Sequence, residues 1–157
     1  MPARRTVLVS FLASALLVGC GSSAATGGGG GGGGQPGSSG LELHLHGVSG
    51  IGTVLTDPSG RALYTAAQEA HGVVKCTGPC LRVFMPLLGT SVAAPSSVTG
   101  TTGTIRRPDT GARQLTFEGA PLYTYAQDGT WGDAGGNGLH DAFGGTHLTW
   151  HAVVVTG

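Results

Sequence analysis

Apolar positions fall along the chain in three regimes. From Thr6 to Val18 they run almost unbroken, directly behind Arg4 and Arg5. From Gly21 to Gly40 they nearly vanish. From Leu41 onward they return with a period of two: Leu41, Leu43 and Leu45 alternate with Glu42, His44 and His46. This is the signature of a half-buried strand. Thr53–Asp57 and Arg61–Thr65 flank Asp57-Pro58-Ser59-Gly60, where proline presets φ and glycine accepts a positive one, so the spacing predicts a β-hairpin. Arg113–Phe117 and Pro121–Tyr125 flank Glu118-Gly119-Ala120 and predict a second. His147–Val155 predicts a last strand with Leu148, Trp150, Ala152 and Val154 on one face. No helical period is sustained; the best candidate is a short turn near Ala66–Ala70. The expected fold class is mainly β: a small single domain of hairpins with Gly-rich loops, the longest at Gly132–Gly145.

The first regime has the order of an export signal, two basic residues and then 13 mostly apolar ones, too few for a bilayer span of about 20. It ends Leu17-Val18-Gly19-Cys20, which looks like a bacterial lipobox. By that resemblance residues 1–19 are a lipoprotein signal peptide and Cys20 is the lipidated first residue of the mature chain. The alternative is an ordinary signal peptide with an incidental cysteine. Residues 20–40, with eight consecutive glycines at Gly27–Gly34, cannot bury a core and read as a disordered tether. They are not a phosphate-binding loop, because no strand, helix or Lys-Ser/Thr pair frames them. The domain is then 41–157, and its expected location is the extracytoplasmic face of the cell membrane, with the membrane reached through lipid.

Composition narrows the function classes. Of 157 residues 31 are glycine, and eight Lys/Arg balance eight Asp/Glu. Losing Arg4 and Arg5 leaves six basic against eight acidic side chains, a net charge of −2. There is no basic field for a nucleic-acid backbone. The glycines lack the three-residue repeat of collagen.

The two predicted hairpins also resemble each other. Leu55-Thr56, Gly60, Leu63-Tyr64-Thr65 and Gln68-Glu69 match Leu115-Thr116, Gly119, Leu122-Tyr123-Thr124 and Gln127-Asp128. The offset is 60 residues before the turn and 59 after it, so one residue is lost in the turn. A duplicated unit is expected, over about 51–88 and 112–155.

Several residues carry candidate chemistry. With Cys20 taken by lipid, Cys76 and Cys80 remain, with Gly78-Pro79 between them. Outside the cytoplasm the simplest reading is a disulfide; a redox dithiol and half of a metal site are the alternatives. Tyr64 is followed five residues later by Glu69, and Tyr123, with Tyr125, by Asp128. Such a motif serves either as a clip of hydroxyl to carboxylate or as an aromatic platform for a small or carbohydrate-like ligand. His44 and His46 share one strand face, as do His147 and His151. If the first and last strands are neighbours, these four make a copper or zinc site. No Gly-x-Ser-x-Gly elbow or His-Glu-x-x-His helix is present, and no catalytic residues are assigned.

These motifs together resemble the bacterial "secreted repeat of unknown function" lipoproteins, which carry tandem Tyr-x4-acid motifs. The resemblance rests on Tyr64–Glu69, Tyr123–Asp128, Leu55-Thr-Asp57, the Cys76–Cys80 pair, Gly132-Asp133, Gly136-Asn-Gly138 and Trp150-His-Ala152, from about Ile51 to Val155. Departures are Ala66 where the family usually has an aromatic, Glu69 for Asp, and Phe84-Met85-Pro86 where it tends to Trp-Pro-Pro. The resemblance implies a lipid-anchored envelope protein of unknown activity. The expectation is a non-catalytic binding or interaction module with an unknown protein or small-molecule partner. The alternative is a metal-handling lipoprotein that uses its histidines.

Overall fold

In the computed structural model the described residues are 40–129 and 131–156. The signal sequence, Cys20 and the tether up to residue 39 lie outside them. The chain is mainly β, as its alternating pattern predicts. Among the described residues twelve short strands follow in order: β1 (Leu41–Glu42), β2 (His44–Val48), β3 (Gly52–Thr56), β4 (Leu63–Ala66), β5 (Phe84–Pro86), β6 (Val92–Ala93), β7 (Thr102–Arg106), β8 (Arg113–Phe117), β9 (Ala120–Pro121), β10 (Tyr123–Tyr125), β11 (His140–Phe143) and β12 (Thr146–Ala152). The predicted turn after Ala66 is a single 3-10 turn at Ala67–Glu69. Among the described residues no helix is long and apolar enough to cross a membrane.

The central sheet has five strands in the order β11-β12-β4-β10-β5. β4 and β10 are antiparallel with Tyr64 opposite Tyr123, and a pseudo-twofold axis passes between them. The contacts that flank this pair then occur twice. β5 lies against β10 with Phe84 opposite Tyr125, and β12 lies against β4 with Trp150 opposite Ala66. β2 pairs β3 and β7 pairs β8, both antiparallel. Outlying bridges join Val54 to Val154 and Gln114 to Leu88. The duplication is therefore structural, and each unit begins one strand earlier than the repeated motifs suggest.

Duplication also explains why the predicted hairpins are not simple ones. The first turn forms, with Asp57 N–H donating to the Arg61 carbonyl and a bridge at Thr56–Ala62. Beyond it β3 and β4 part, and Val153 enters between them. Leu55 N–H donates to the Val153 carbonyl (2.9 Å), and Val153 N–H donates to Leu63 (2.8 Å). In the second unit Leu87 does the same between Leu115 (2.8 Å) and Leu122 (2.9 Å). Each unit thus takes a returning segment as a wedge, which satisfies backbone groups that a splayed hairpin would leave bare.

Two further expectations change. The strand expected over Leu41–His46 breaks at Leu43, because β1 pairs in parallel with β6 whereas β2 turns to β3. The inward face predicted to include Val154 ends at Ala152. Val154 is half exposed while Val153 and Val155 are buried, because the wedge reverses the alternation.

The core divides by strand face. Leu43, Leu55, Leu63, Leu115, Leu122 and Val153 form an aliphatic cluster. Tyr64, Phe84, Tyr123, Tyr125 and Trp150 form an aromatic one, with Phe84 and Trp150 stacked at 3.6 Å. Successive residues such as Leu63 and Tyr64 enter different clusters, as a strand buried on both faces requires.

Asp57 anchors the first turn. It is 4% exposed and accepts hydrogen bonds from the Ser59 N–H and hydroxyl, the Arg61 N–H and the Arg61 guanidinium. Burial opposes its ionisation, but these donors outweigh burial and hold its carboxyl below the usual range. Its stabilisation is complete above the unfolded carboxylate pKa of about 4 and fades as pH falls through the lower folded value. The Arg61 side chain is one-third exposed, so the ion pair adds little beyond the turn bonds. Asp57→Ala should cost about 1–2 kcal/mol at neutral pH, measured by urea unfolding. The cost should shrink toward zero in acid; an equal cost at all pH values would contradict this account.

Candidate functional site

The repeated Tyr-x4-acid motif converges on the pseudo-twofold axis. Strand pairing brings Tyr64 and Tyr123 side by side, and each acid follows its tyrosine by five residues through a turn. The turn carries the acid across the axis. The Tyr64 hydroxyl donates to Asp128 Oδ2 at 2.5 Å, a carboxylate of the other unit. The Tyr123 hydroxyl faces Glu69, again of the other unit. The clip expected from the motif is therefore a clasp between units, with the acids exchanged. Sequence spacing alone could not reveal the exchange, because both pairings have the same local pattern.

Backbone donors hold the two acids in the same way. Asp128 Oδ1 accepts the Gly135 N–H at 2.9 Å, and the Gly136 N–H reaches the Tyr64 hydroxyl at 3.3 Å. Glu69 Oε1 accepts the N–H groups of Lys75 and Cys76 at 2.5 and 2.6 Å. Gly136 is required by close approach: a Cβ there would lie 2.9 Å from Tyr64 Cε1. The Tyr64 hydroxyl is harder to ionise than a free tyrosine, first because it is buried and then because it faces Asp128. Burial, followed by the charge on Glu69, does the same for Tyr123. Both tyrosines stay neutral donors, and neither is a ready base or nucleophile.

The halves differ in finish. Cys76 and Cys80 form a disulfide with Cα atoms 5.4 Å apart. It braces the loop whose N–H groups grip Glu69, a task that Gly135 and Gly136 perform unaided in the other unit. Beside it lies Arg107, a buried cation that sequence inspection missed. Its guanidinium donates to Gln114 Oε1 (2.6 Å), the Cys76 carbonyl (2.7 Å) and Asp109. Burial opposes its charge, but Asp109 and Tyr123 raise its affinity for the proton; Arg107 in turn lowers the pKa of Asp109. Glu69 Oε2 and the Tyr123 hydroxyl are both buried, yet no contact of either meets hydrogen-bond geometry. Electrostatic influence from Glu69, Gln114 and Arg107 still reaches Tyr123. The second clasp is looser than the first.

Tyr125 has a packing role, stacked on Phe84 at 4.9 Å. The departures from the family pattern are complementary in size: small Ala66 faces large Trp150, and Tyr125 faces the smaller Phe84. A polar hollow of about 380 Å³ opens beside the tighter clasp, lined by Gln127, Asp128, Asp133 and Gly135 among others.

The four histidines do not meet. β2 pairs with β3 in a two-stranded sheet, whereas β12 runs between β11 and β4. His147 and His151 both face solvent from β12. The adjacency of first and last strands that such a site would need is not met, because β2, which carries His44 and His46, pairs with β3. Among the described residues no three His, Cys, Asp or Glu side chains form a metal-ligand set. His44 and His46 instead flank Trp131, a residue with no signal in the sequence beyond its place in a Gly-rich loop.

Comparison with known proteins bears on the second unit. Residues 103–154 match the family model of a secreted repeat of unknown function. The resemblance read from the motifs is thus shown for that stretch, which begins in β7, ends just past β12 and spans one structural unit. It is consistent with an extracytoplasmic protein whose activity is unestablished. No curated protein and no solved structure matches the chain.

The unequal clasps make a direct prediction. Tyr64→Phe removes a donor from a buried carboxylate and should cost about 2 kcal/mol. Tyr123→Phe removes a hydroxyl that faces Glu69, Gln114 and Arg107 without a well-formed hydrogen bond, and should cost less than half of that. Paired urea titrations test the order, and the reverse order would refute the geometry.

Proposed function

We propose that the chain is a lipid-anchored cell-envelope protein acting as a non-catalytic binding or interaction module. The observation carrying this reading is the inward use of the repeated motif. Tyr64, Tyr123, Asp128 and Glu69, the residues best suited to acid–base chemistry, are buried and clasp the two units together. What the domain offers outward is a rigid β scaffold with aromatic, imidazole and glycine-rich loop groups. A surface of that kind suits binding.

The membrane part of the proposal rests on Leu17-Val18-Gly19-Cys20 and the tether behind it. Diacylglycerol supplies two acyl chains, enough for stable anchoring, whereas one chain binds reversibly. At net charge −2 the mature chain has no electrostatic alternative. Fractionation of the expressing bacterium tests this. Wild-type protein should sediment with membranes, and Cys20→Ala should appear in the medium or remain unprocessed. Normally processed Cys20→Ala protein that still sediments with membranes would refute lipid anchoring.

A further inference from the structure

β2 presents His44 and His46 on one side, because alternate residues of a strand share a face. Both imidazoles converge on the same indole. The His44 and Trp131 ring centroids are 6.4 Å apart, those of His46 and Trp131 5.3 Å, and both contacts are edge-on. The indole comes from the loop after Asp128, 85 positions beyond His46 by sequence number, so tertiary structure alone creates the cluster.

Local features fix it there. Trp131 lies over the first turn, where Gly60 has φ +87° and a Cβ would approach the indole to 2.3 Å. Only glycine admits the ring. Gly132, also with positive φ, brings its backbone toward His46 Nε2, with a virtual Cβ at 3.6 Å. Yet the cluster remains open: His44 is exposed, His46 half-buried, and Trp131 49% exposed. A large exposed aromatic clamped between a glycine turn and two imidazoles is more order than a solvent-facing loop needs.

We propose that His44 and His46 bind one copper(II) ion, with the Trp131 indole walling one side and the other coordination positions open to water or a small ligand. The choice of metal follows from the donor set. Neutral imidazole nitrogen suits several first-row metals, and affinity for such donors peaks at copper(II). Zinc sites draw three or four ligands from the protein, and here two histidines share the strand face beside Trp131. No change of oxidation state is invoked. This inference rests on the binding-module reading and names a ligand for it. It replaces the four-histidine site with a two-histidine one and leaves His147 and His151 out.

The test is titration of purified full-length chain with a copper(II) salt, followed by tryptophan fluorescence and electron paramagnetic resonance. One equivalent should quench the emission of exposed Trp131 and leave that of Trp150, which is fully buried. The spin signal should report nitrogen donors. The His44→Ala/His46→Ala double variant should weaken binding at least about tenfold, since loss of even an outer partner of a metal ligand costs that much. Trp131→Phe should keep binding by spin signal but lose the quench. His147→Ala/His151→Ala should behave as wild type.

The proposal is overturned if the His44/His46 variant binds as wild type, if the His147/His151 variant loses binding instead, or if Trp131→Phe retains the full quench. Melting curves confirm folding, and His44→Gln alone, at an exposed position, gives the same reading should the double variant unfold. Absence of any copper binding by the wild-type chain would also overturn it. That result would remove copper as the module's ligand and leave lipid anchoring untouched, which the fractionation experiment tests without any metal.

Discussion

Two tyrosines stand opposite each other on paired strands at the centre of this domain, and both are buried with their rings in the aromatic core. A buried hydroxyl without a partner is costly, and so is a buried carboxylate. Exchange of acids across the pseudo-twofold axis addresses both costs, because each unit brings what the other needs. Pairing of β4 with β10 sets the tyrosines opposite each other, and the turn after each strand returns the acid to the axis. The wedges at Leu87 and Val153, the stacked Phe84–Trp150 pair and the sheet order all follow from that arrangement. One unit alone would leave its own tyrosine and acid apart, which is the physical reason for a tandem pair.

The exchange is symmetric in plan and asymmetric in execution. Around Asp128 two glycines bring the backbone close enough to donate directly, and the clasp is short. Around Glu69 the longer side chain turns to the N–H groups of Lys75 and Cys76, and a disulfide steadies the loop that carries them. Arg107 of the second unit then binds the Cys76 carbonyl of the first. The first unit is held by covalent and ionic devices where the second relies on glycine. Divergence of the two copies has thus left the clasp geometry while changing its chemistry.

Scaffold and surface are separable in consequence. The motif that repeats along the chain is structural, and the residues that gather at the surface do not repeat. Neither His44, His46 nor Trp131 has a counterpart among the duplicated residues. Functional specificity in a duplicated fold is free to arise in this way, since loops at one unit can change without touching the axis.

Much of this was legible in the order of residues. Period-two alternation fixed the class as β, Asp57-Pro-Ser-Gly60 and Glu118-Gly-Ala120 marked the turns, and the 60- and 59-residue offsets disclosed the duplication, because each is a local property of the chain. Cys76 and Cys80 are close enough in sequence for their bond to be inferred. What tertiary structure decided is every pairing between distant segments: which acid serves which tyrosine, that Val153 rather than β4 lies along β3, that the two histidine pairs sit on different sheets, and that Trp131 comes to rest against His44 and His46. Alternation says which residues of a strand share a face, but it carries no information about the neighbouring strand. That choice was made by the need to pair buried backbone and hydroxyl groups, a requirement met only when the whole chain is in place.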